Sequence, residues 1–147
     1  MNKLVKLIVI SSLFLFSSCA LAHKTKDEKH EHTKEEKEAI KAAEKWLKMY
    51  DKQDYAGTWN KAAKFFKDAL PKKEWIKELR KVKKKIGRVK TRELVRIKEE
   101  TNVPKSPEGK YMVLVYKSKF KKQDVTEVVT PFLEKDGTWR VIGYYVE

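Results

Sequence analysis

The chain has 147 residues, with 35 Lys and Arg against 21 Asp and Glu, giving a net charge of +14 with histidine neutral. Its one cysteine, Cys19, leaves no intrachain disulfide, and neither histidine nor cysteine occurs after His32. Residues 33–147 therefore cannot hold a Ser-His-Asp or Cys-His nucleophilic site, an imidazole acid–base or the usual zinc ligand sets.

Residues 1–22 read as a secretory signal peptide. Lys3 and Lys6 give a positive start, and residues 7–16 are almost wholly apolar but shorter than the roughly 20 residues a bilayer span takes. Ala20-Leu21-Ala22 fits the small-x-small pattern for cleavage after Ala22. Phe16-Ser17-Ser18-Cys19 also resembles a lipobox, with Phe where Leu is usual, and that route would leave a lipid on Cys19. Ordinary cleavage is the expected route. Either one exports the protein, which is then periplasmic or secreted, or lipid-anchored in the alternative. Removing residues 1–22 leaves 125 residues and a charge of +12, enough for one domain with its own core.

Residues 23–38 contain almost nothing apolar and are read as a charged, flexible tether. His30 and His32 have no second ligand pair near them, so no metal is expected. Thr33 and Glu36 make a capping box. Ala39, Ala43, Trp46, Leu47 and Tyr50 then recur at spacings of three and four, the stripe of an amphipathic helix. Residues 51–54 break it. Asp54 caps a second predicted helix carrying Trp59, Ala62, Ala63, Phe66 and Leu70. Pro71 ends that helix and starts a third, which buries Trp75, Ile76, Leu79, Val82 and Ile86 and stops at Gly87.

From Arg88 the apolar period changes to two. Strands are predicted over 89–98, 111–120, 126–134 and 139–146, with a loop over 101–109 and a tight turn at Glu134-Lys135-Asp136-Gly137. In the first strand Val89, Val95 and Ile97 point one way and Lys90, Arg92, Arg96 and Lys98 the other. Short connections favour an antiparallel meander. The expected fold is α+β: three N-terminal helices on one face of a curved four-stranded antiparallel sheet, a single domain over residues 39–147. The second and fourth strands read as apolar on both faces, with Tyr111, Val113 and Val115 opposing Met112, Leu114 and Tyr116. Trp139, Val141 and Tyr145 likewise oppose Ile142 and Tyr144. A solvated sheet face alternates more cleanly, so the second face is expected to meet a partner, a second copy included, or to close over a pocket.

Residues 42–70, Trp-Ile-Lys-Glu-Leu-Arg (75–80), Ile-Gly-Arg-Val-Lys-Thr-Arg (86–92), Pro-Glu-Gly-Lys-Tyr (107–111), Glu-Val-Val-Thr-Pro (127–131) and Asp-Gly-Thr-Trp-Arg-Val-Ile-Gly-Tyr-Tyr (136–145) occur in that order. As an ordered set they resemble the bacterial secreted family called domain of unknown function 4019, over about residues 38–147. The chain departs from that pattern only in its extra lysines. The resemblance implies a cone-shaped, cystatin-like fold like that of nuclear transport factor two. It implies no activity.

Three functional readings follow. The first is a non-enzymatic extracytoplasmic domain that binds a small ligand or a protein. Its pocket candidates are Trp59, Trp75, Arg92, Tyr111, Glu127 and Trp139, the aromatics otherwise being core. The second is a basic adhesion module for anionic envelope polymers or a membrane surface, working through Lys73, Lys77, Arg80, Lys81 and Lys84 on the third helix. No aromatic is interleaved there for base stacking, so no specific nucleic acid is expected. The third is a carboxylate enzyme centred on Glu127, the one acid inside an apolar strand, with Arg92 as its partner or as a plain salt bridge. No cofactor is expected in any of them.

Overall fold

The computed structural model describes residues 31–101 and 103–147, so the signal segment, the Cys19 alternative and most of the leader lie outside the described residues. Four helices, α1 (Lys34–Asp51), α2 (Tyr55–Asn60), α3 (Lys64–Ala69) and α4 (Lys72–Ile86), precede four strands. These are β1 (Val89–Glu100), β2 (Tyr111–Phe120), β3 (Asp124–Leu133) and β4 (Trp139–Val146). The strands pair antiparallel in the order β1-β2-β3-β4, an open meander. The architecture is the expected α+β one, with α1 lying across β2, β3 and β4.

The capping box sets the start of α1: Thr33 Oγ1 accepts the Glu36 N–H at 3.2 Å, and Glu36 Oε2 accepts the Thr33 N–H at 2.8 Å. The charged leader thus becomes helical at Lys34, earlier than a tether running to residue 38 allows. The predicted stripe of α1 is buried, each residue 0–2% exposed. Asp54 caps α2 by accepting the Gly57 N–H at 2.8 Å. Gly87 ends α4 with φ +85°, a conformation that a side chain disfavours.

The single helix expected over 54–70 is divided into α2 and α3. Ala63 is extended (φ −58°, ψ 149°), and its N–H donates to Val141 O at 2.9 Å instead of to the preceding turn. The Lys64 N–H goes to Glu134 Oε1 at 2.6 Å. Ala63 therefore meets β4, the last strand of the sheet, and satisfies one of its carbonyls. Sequence periodicity cannot reveal this long-range competition for two backbone donors.

Bulges overturn the predicted facing of two strands. The β1–β2 register shifts between Val89 and Thr91 and again between Leu94 and Arg96. Each extra residue reverses the alternation. Arg92 and Leu94, opposite Ser118 and Tyr116, thus face the helices with Ile97, while Val95 is 42% exposed. In β4 a shift at Thr130/Pro131 puts Trp139, Val141 and Tyr144 together in the main core, not on opposite faces.

The core between helices and sheet is built from Trp46, Leu47, Tyr50, Trp75, Leu79, Met112, Leu114, Val129 and Tyr144, with α1 alanines at the closest approach. Three of the four indole N–H groups are used structurally. Those of Trp46 and Trp75 donate to the carbonyl and hydroxyl oxygens of Thr58 at 3.1 and 2.9 Å, and that of Trp59 donates to Leu70 O at 2.9 Å. The gap lined by Trp46, Phe66, Trp75, Val141 and Tyr144 has no room for a water molecule. Ala63, Tyr111 and Phe132 form a second cluster with Val103, which closes one end of the far sheet face. On the rest of that face Val115 is 8% exposed and Tyr145 38%. The stems of Arg96 and Lys98, opposite Val115 and Val113, flank the apolar strip.

Candidate functional site

The inward turn of Arg92 creates the site. On β3, alternation from Val125 to Val129 puts Glu127 on the helix face, and it has no exposed surface, the one fully buried carboxylate among the described residues. Arg92 Nε donates to Glu127 Oε2 at 2.6 Å and Nη2 to Oε1 at 3.1 Å, a two-point fork. The same guanidinium grips Asp51 through Nη1 at 2.8 Å and Nη2 at 3.2 Å. Asp51 is the last residue of α1, where the helix dipole disfavours a negative charge. Arg92 offsets that and ties α1, β1 and β3 together. Only the planar, five-donor arginine side chain can serve two carboxylates in this way.

Two neutral donors complete the shell of Glu127. Tyr144 OH donates to Oε1 at 2.7 Å, and Ser118 Oγ donates to Oε2. Each carboxylate oxygen thus accepts two hydrogen bonds. Burial works against charge on Arg92, but its bonds to Asp51 and Glu127 outweigh that and raise its pKa above the ordinary arginine value. Burial, reinforced by the charge of Glu127, pushes the Tyr144 hydroxyl well above 10. Tyr116, one residue position across from Glu127 on β2, is pushed up to about 12, chiefly by burial.

Chemically, this arrangement holds charge and does not offer it. A general base needs a lone pair pointing at a substrate proton, and Glu127 has both oxygens occupied and no path to solvent. The Phe120 ring lies 5.9 Å from the guanidinium carbon and closes another side. Among the described residues, no group of three His, Cys, Asp or Glu is arranged to hold a metal ion.

Of the six pocket candidates the structure joins Arg92 to Glu127 and no others to them. Trp75 and Trp139 are in the main core, Trp59 packs against its margin, and Tyr111 belongs to the second cluster, its hydroxyl donating to Pro107 O. Sequence reasoning missed Asp51, Ser118 and Tyr144. Asp51 had a usable signal: four residues after Leu47, it continues the buried stripe of α1 as a carboxylate. Ser118 had one too, since it continues the Met112-Leu114-Tyr116 face of β2 by alternation; Tyr144 had none, because its facing depends on the register shift at Thr130/Pro131.

The second set of candidates is on α4. Residues 72–88 carry nine Lys and Arg against two acids, Glu74 and Glu78, and Lys73, Lys77, Arg80, Lys81, Lys84, Lys85 and Arg88 are exposed. Trp75, Leu79 and Ile86 hold the opposite side of the helix against the core. Lys81 pairs with Glu78 at 2.7 Å; among the described residues Lys73, Lys77, Arg80, Lys84 and Lys85 enter no ion pair. The helix therefore presents a predominantly cationic outer face, with Glu74 and Glu78 among its cations.

No helix among the described residues is long and apolar enough to cross a membrane. A family model described as "Protein of unknown function (DUF4019)" matches residues 42–144. No curated protein and no solved structure matches the chain.

Proposed function

We propose, for a chain that belongs to the protein family of unknown function DUF4019, an exported, non-enzymatic domain that docks on anionic bilayer surfaces through α4. The observation that carries this reading is the exposed cationic face of α4, where Lys73, Lys77, Arg80, Lys84 and Lys85 enter no ion pair among the described residues and only Lys81 is paired, with Glu78. Two competing readings have less support. Ligand capture in the interior lacks space in the gap between Trp46, Trp75 and Tyr144. Catalysis by Glu127 lacks a free carboxylate oxygen.

The chemistry of the face favours a lipid surface over a shaped polymer. It has no interleaved aromatic, and its recess of about 690 Å³, lined by Lys72, Lys73, Ile76, Lys77 and Arg80, lies open to solvent, so charge density is its main means of selection. Each Lys or Arg close to an anionic leaflet contributes about 1 kcal/mol. Seven exposed cations then give a total of about 7 kcal/mol, or a dissociation constant on the order of 10 micromolar. Screening at high salt removes most of this.

Vesicle co-sedimentation tests the reading. Binding is expected to vesicles of phosphatidylglycerol mixed with phosphatidylcholine, not to phosphatidylcholine alone, and is expected to disappear between 50 mM and 500 mM salt. Equal binding to both vesicles, or binding that salt does not weaken, would overturn it. Retention on heparin with no binding to anionic vesicles would move the function to the polymer reading.

A further inference from the structure

Two lysine runs that begin 33 residues apart in sequence, at Lys84 and Lys117, meet at one corner of the molecule. The first is the end of α4 and the turn after it: Lys84, Lys85 and Arg88, with Lys90 following. The second is the β2–β3 hairpin, Lys117-Ser-Lys-Phe-Lys-Lys122. Backbone bonds join them: the Lys121 N–H donates to Arg88 O at 2.8 Å and the Lys122 N–H to Ile86 O at 3.0 Å. Lys122 Nζ donates to Lys84 O at 2.7 Å. A Cβ added at Gly87 would come within 3.3 Å of the Lys121 and Lys122 side chains, so the glycine permits the close approach.

The corner differs from the middle of α4 in two respects. Acidic residues are interspersed in the middle, where Glu74 and Glu78 lie among the cations and Glu78 takes Lys81. From Lys81 to Lys90 there is no acid; the acids nearest the hairpin lysines are Asp124, opposite Lys119, and Glu93 of β1, opposite Lys117. The second respect concerns the helix dipole. A helix C-terminus normally repels anions through its free carbonyls. Here Lys122 and Gly87 donate to the terminal carbonyls of α4 and cancel that effect.

We infer that this corner, not the length of α4, is the part that meets the phosphates of an anionic bilayer. This rests on the reading of α4 given above and locates its contact. α4 is about 22 Å long, more than twice the roughly 10 Å screening distance at 0.1 M salt. A domain that docks by the corner keeps the Lys72 end of α4 out of range of the surface.

The test compares two variants of equal charge change in the full chain, each bound to phosphatidylglycerol-containing vesicles. The corner variant replaces Lys84, Lys85, Lys119 and Lys121 by Glu, and the mid-helix variant replaces Lys73, Lys77, Arg80 and Lys81 by Glu. The corner variant is expected to bind about tenfold more weakly than the mid-helix variant. Should either fail to fold by circular dichroism, Gln replaces Glu at the same positions and the same ranking is expected. Equal losses, or a larger loss for the mid-helix variant, would overturn the inference and leave the α4 reading intact. A wild-type chain that does not bind anionic vesicles would remove both.

Discussion

The charges of this protein are handled in two opposite ways. At Arg92, three charged groups from three elements are packed together, and their hydrogen bonds are nearly all satisfied inside the fold. Along α4, the same residue types stand in solvent with few internal partners. The buried set is saturated and has nothing left to offer a ligand. The exposed set contributes little to stability and is free to meet an external anion. Function is therefore to be sought where charges are left unsatisfied, not where they are most perturbed.

The difference is most easily broken at Arg92. Replacing it with Met keeps much of the volume and leaves Glu127 buried without its cation and Asp51 unpaired at a helix C-terminus. Losing one partner of a buried pair costs about 3–5 kcal/mol, and urea unfolding of Arg92→Met should show a loss of that size. The double variant Arg92→Met/Glu127→Leu should recover part of it, because the orphaned carboxylate is gone as well. A loss below about 1 kcal/mol for Arg92→Met would put this network on the footing of a surface ion pair and remove the contrast.

Much of this architecture was legible in the sequence, and what was not has a physical cause. The helix starts at Thr33, Asp54 and Pro71 and the terminator Gly87 are local chemistry, and local chemistry can be read directly. β2 and β4 carry continuous apolar runs, which fixed their bounds. The facing of Arg92 and Val95 was reversed because a bulge is a property of two paired strands. The break at Ala63 was hidden because its cause, Val141 O, lies 78 positions further on. The pairing of Arg92 with Glu127 was within reach as a salt bridge, but its four-donor saturation required the register of all four strands. The α4 lysines were visible at once, whereas the hairpin lysines beside them were separated by the whole of β1 and β2.

Lys83 sharpens the contrast, because it belongs to α4 but turns inward. Its ammonium is buried with no hydrogen-bond acceptor, 5.0 Å from the centre of the Tyr50 ring and 5.7 Å from that of Phe120. Asp51 on α1 and Glu127 on β3 favour its charge; Arg92 on β1 and Arg88 oppose it. Burial is the largest influence and lowers its pKa below the ordinary lysine value. The unfolded chain therefore holds this proton more tightly than the folded one. Below the folded pKa the cost of enclosing the charge is present in full, and it fades as pH rises toward the unfolded value near 10.5. Lys83→Met should accordingly be more stable than the wild type at pH 7, by about 0.5–1 kcal/mol, with an advantage that shrinks on titration from pH 8 to 10.5. An advantage that grows with pH would show that the two rings and two carboxylates stabilise the ammonium after all.

The smallest effect on stability is expected on the outer side of the same helix. Lys77 and Lys84 are exposed, and Ala has a helix propensity at least equal to that of Lys. Lys77→Ala and Lys84→Ala should each leave the unfolding free energy within about 0.5 kcal/mol of the wild type. Removing like charges from a crowded helix face should raise it slightly, since Lys77 and Lys81, and Arg80 and Lys84, repel at a spacing of four. That near-neutrality is informative. If evolution filled this face only for solubility, neither replacement should alter attachment to anionic vesicles beyond the change in net charge, and the two should be equivalent. If the face is a contact, each replacement should weaken attachment several-fold while thermal unfolding stays put, and Lys84→Ala, at the corner, should weaken it more than Lys77→Ala. A loss of stability above about 1 kcal/mol for either would mean that these side chains have partners inside the fold, and the division between saturated and unsatisfied charge would fail at the place where it was drawn.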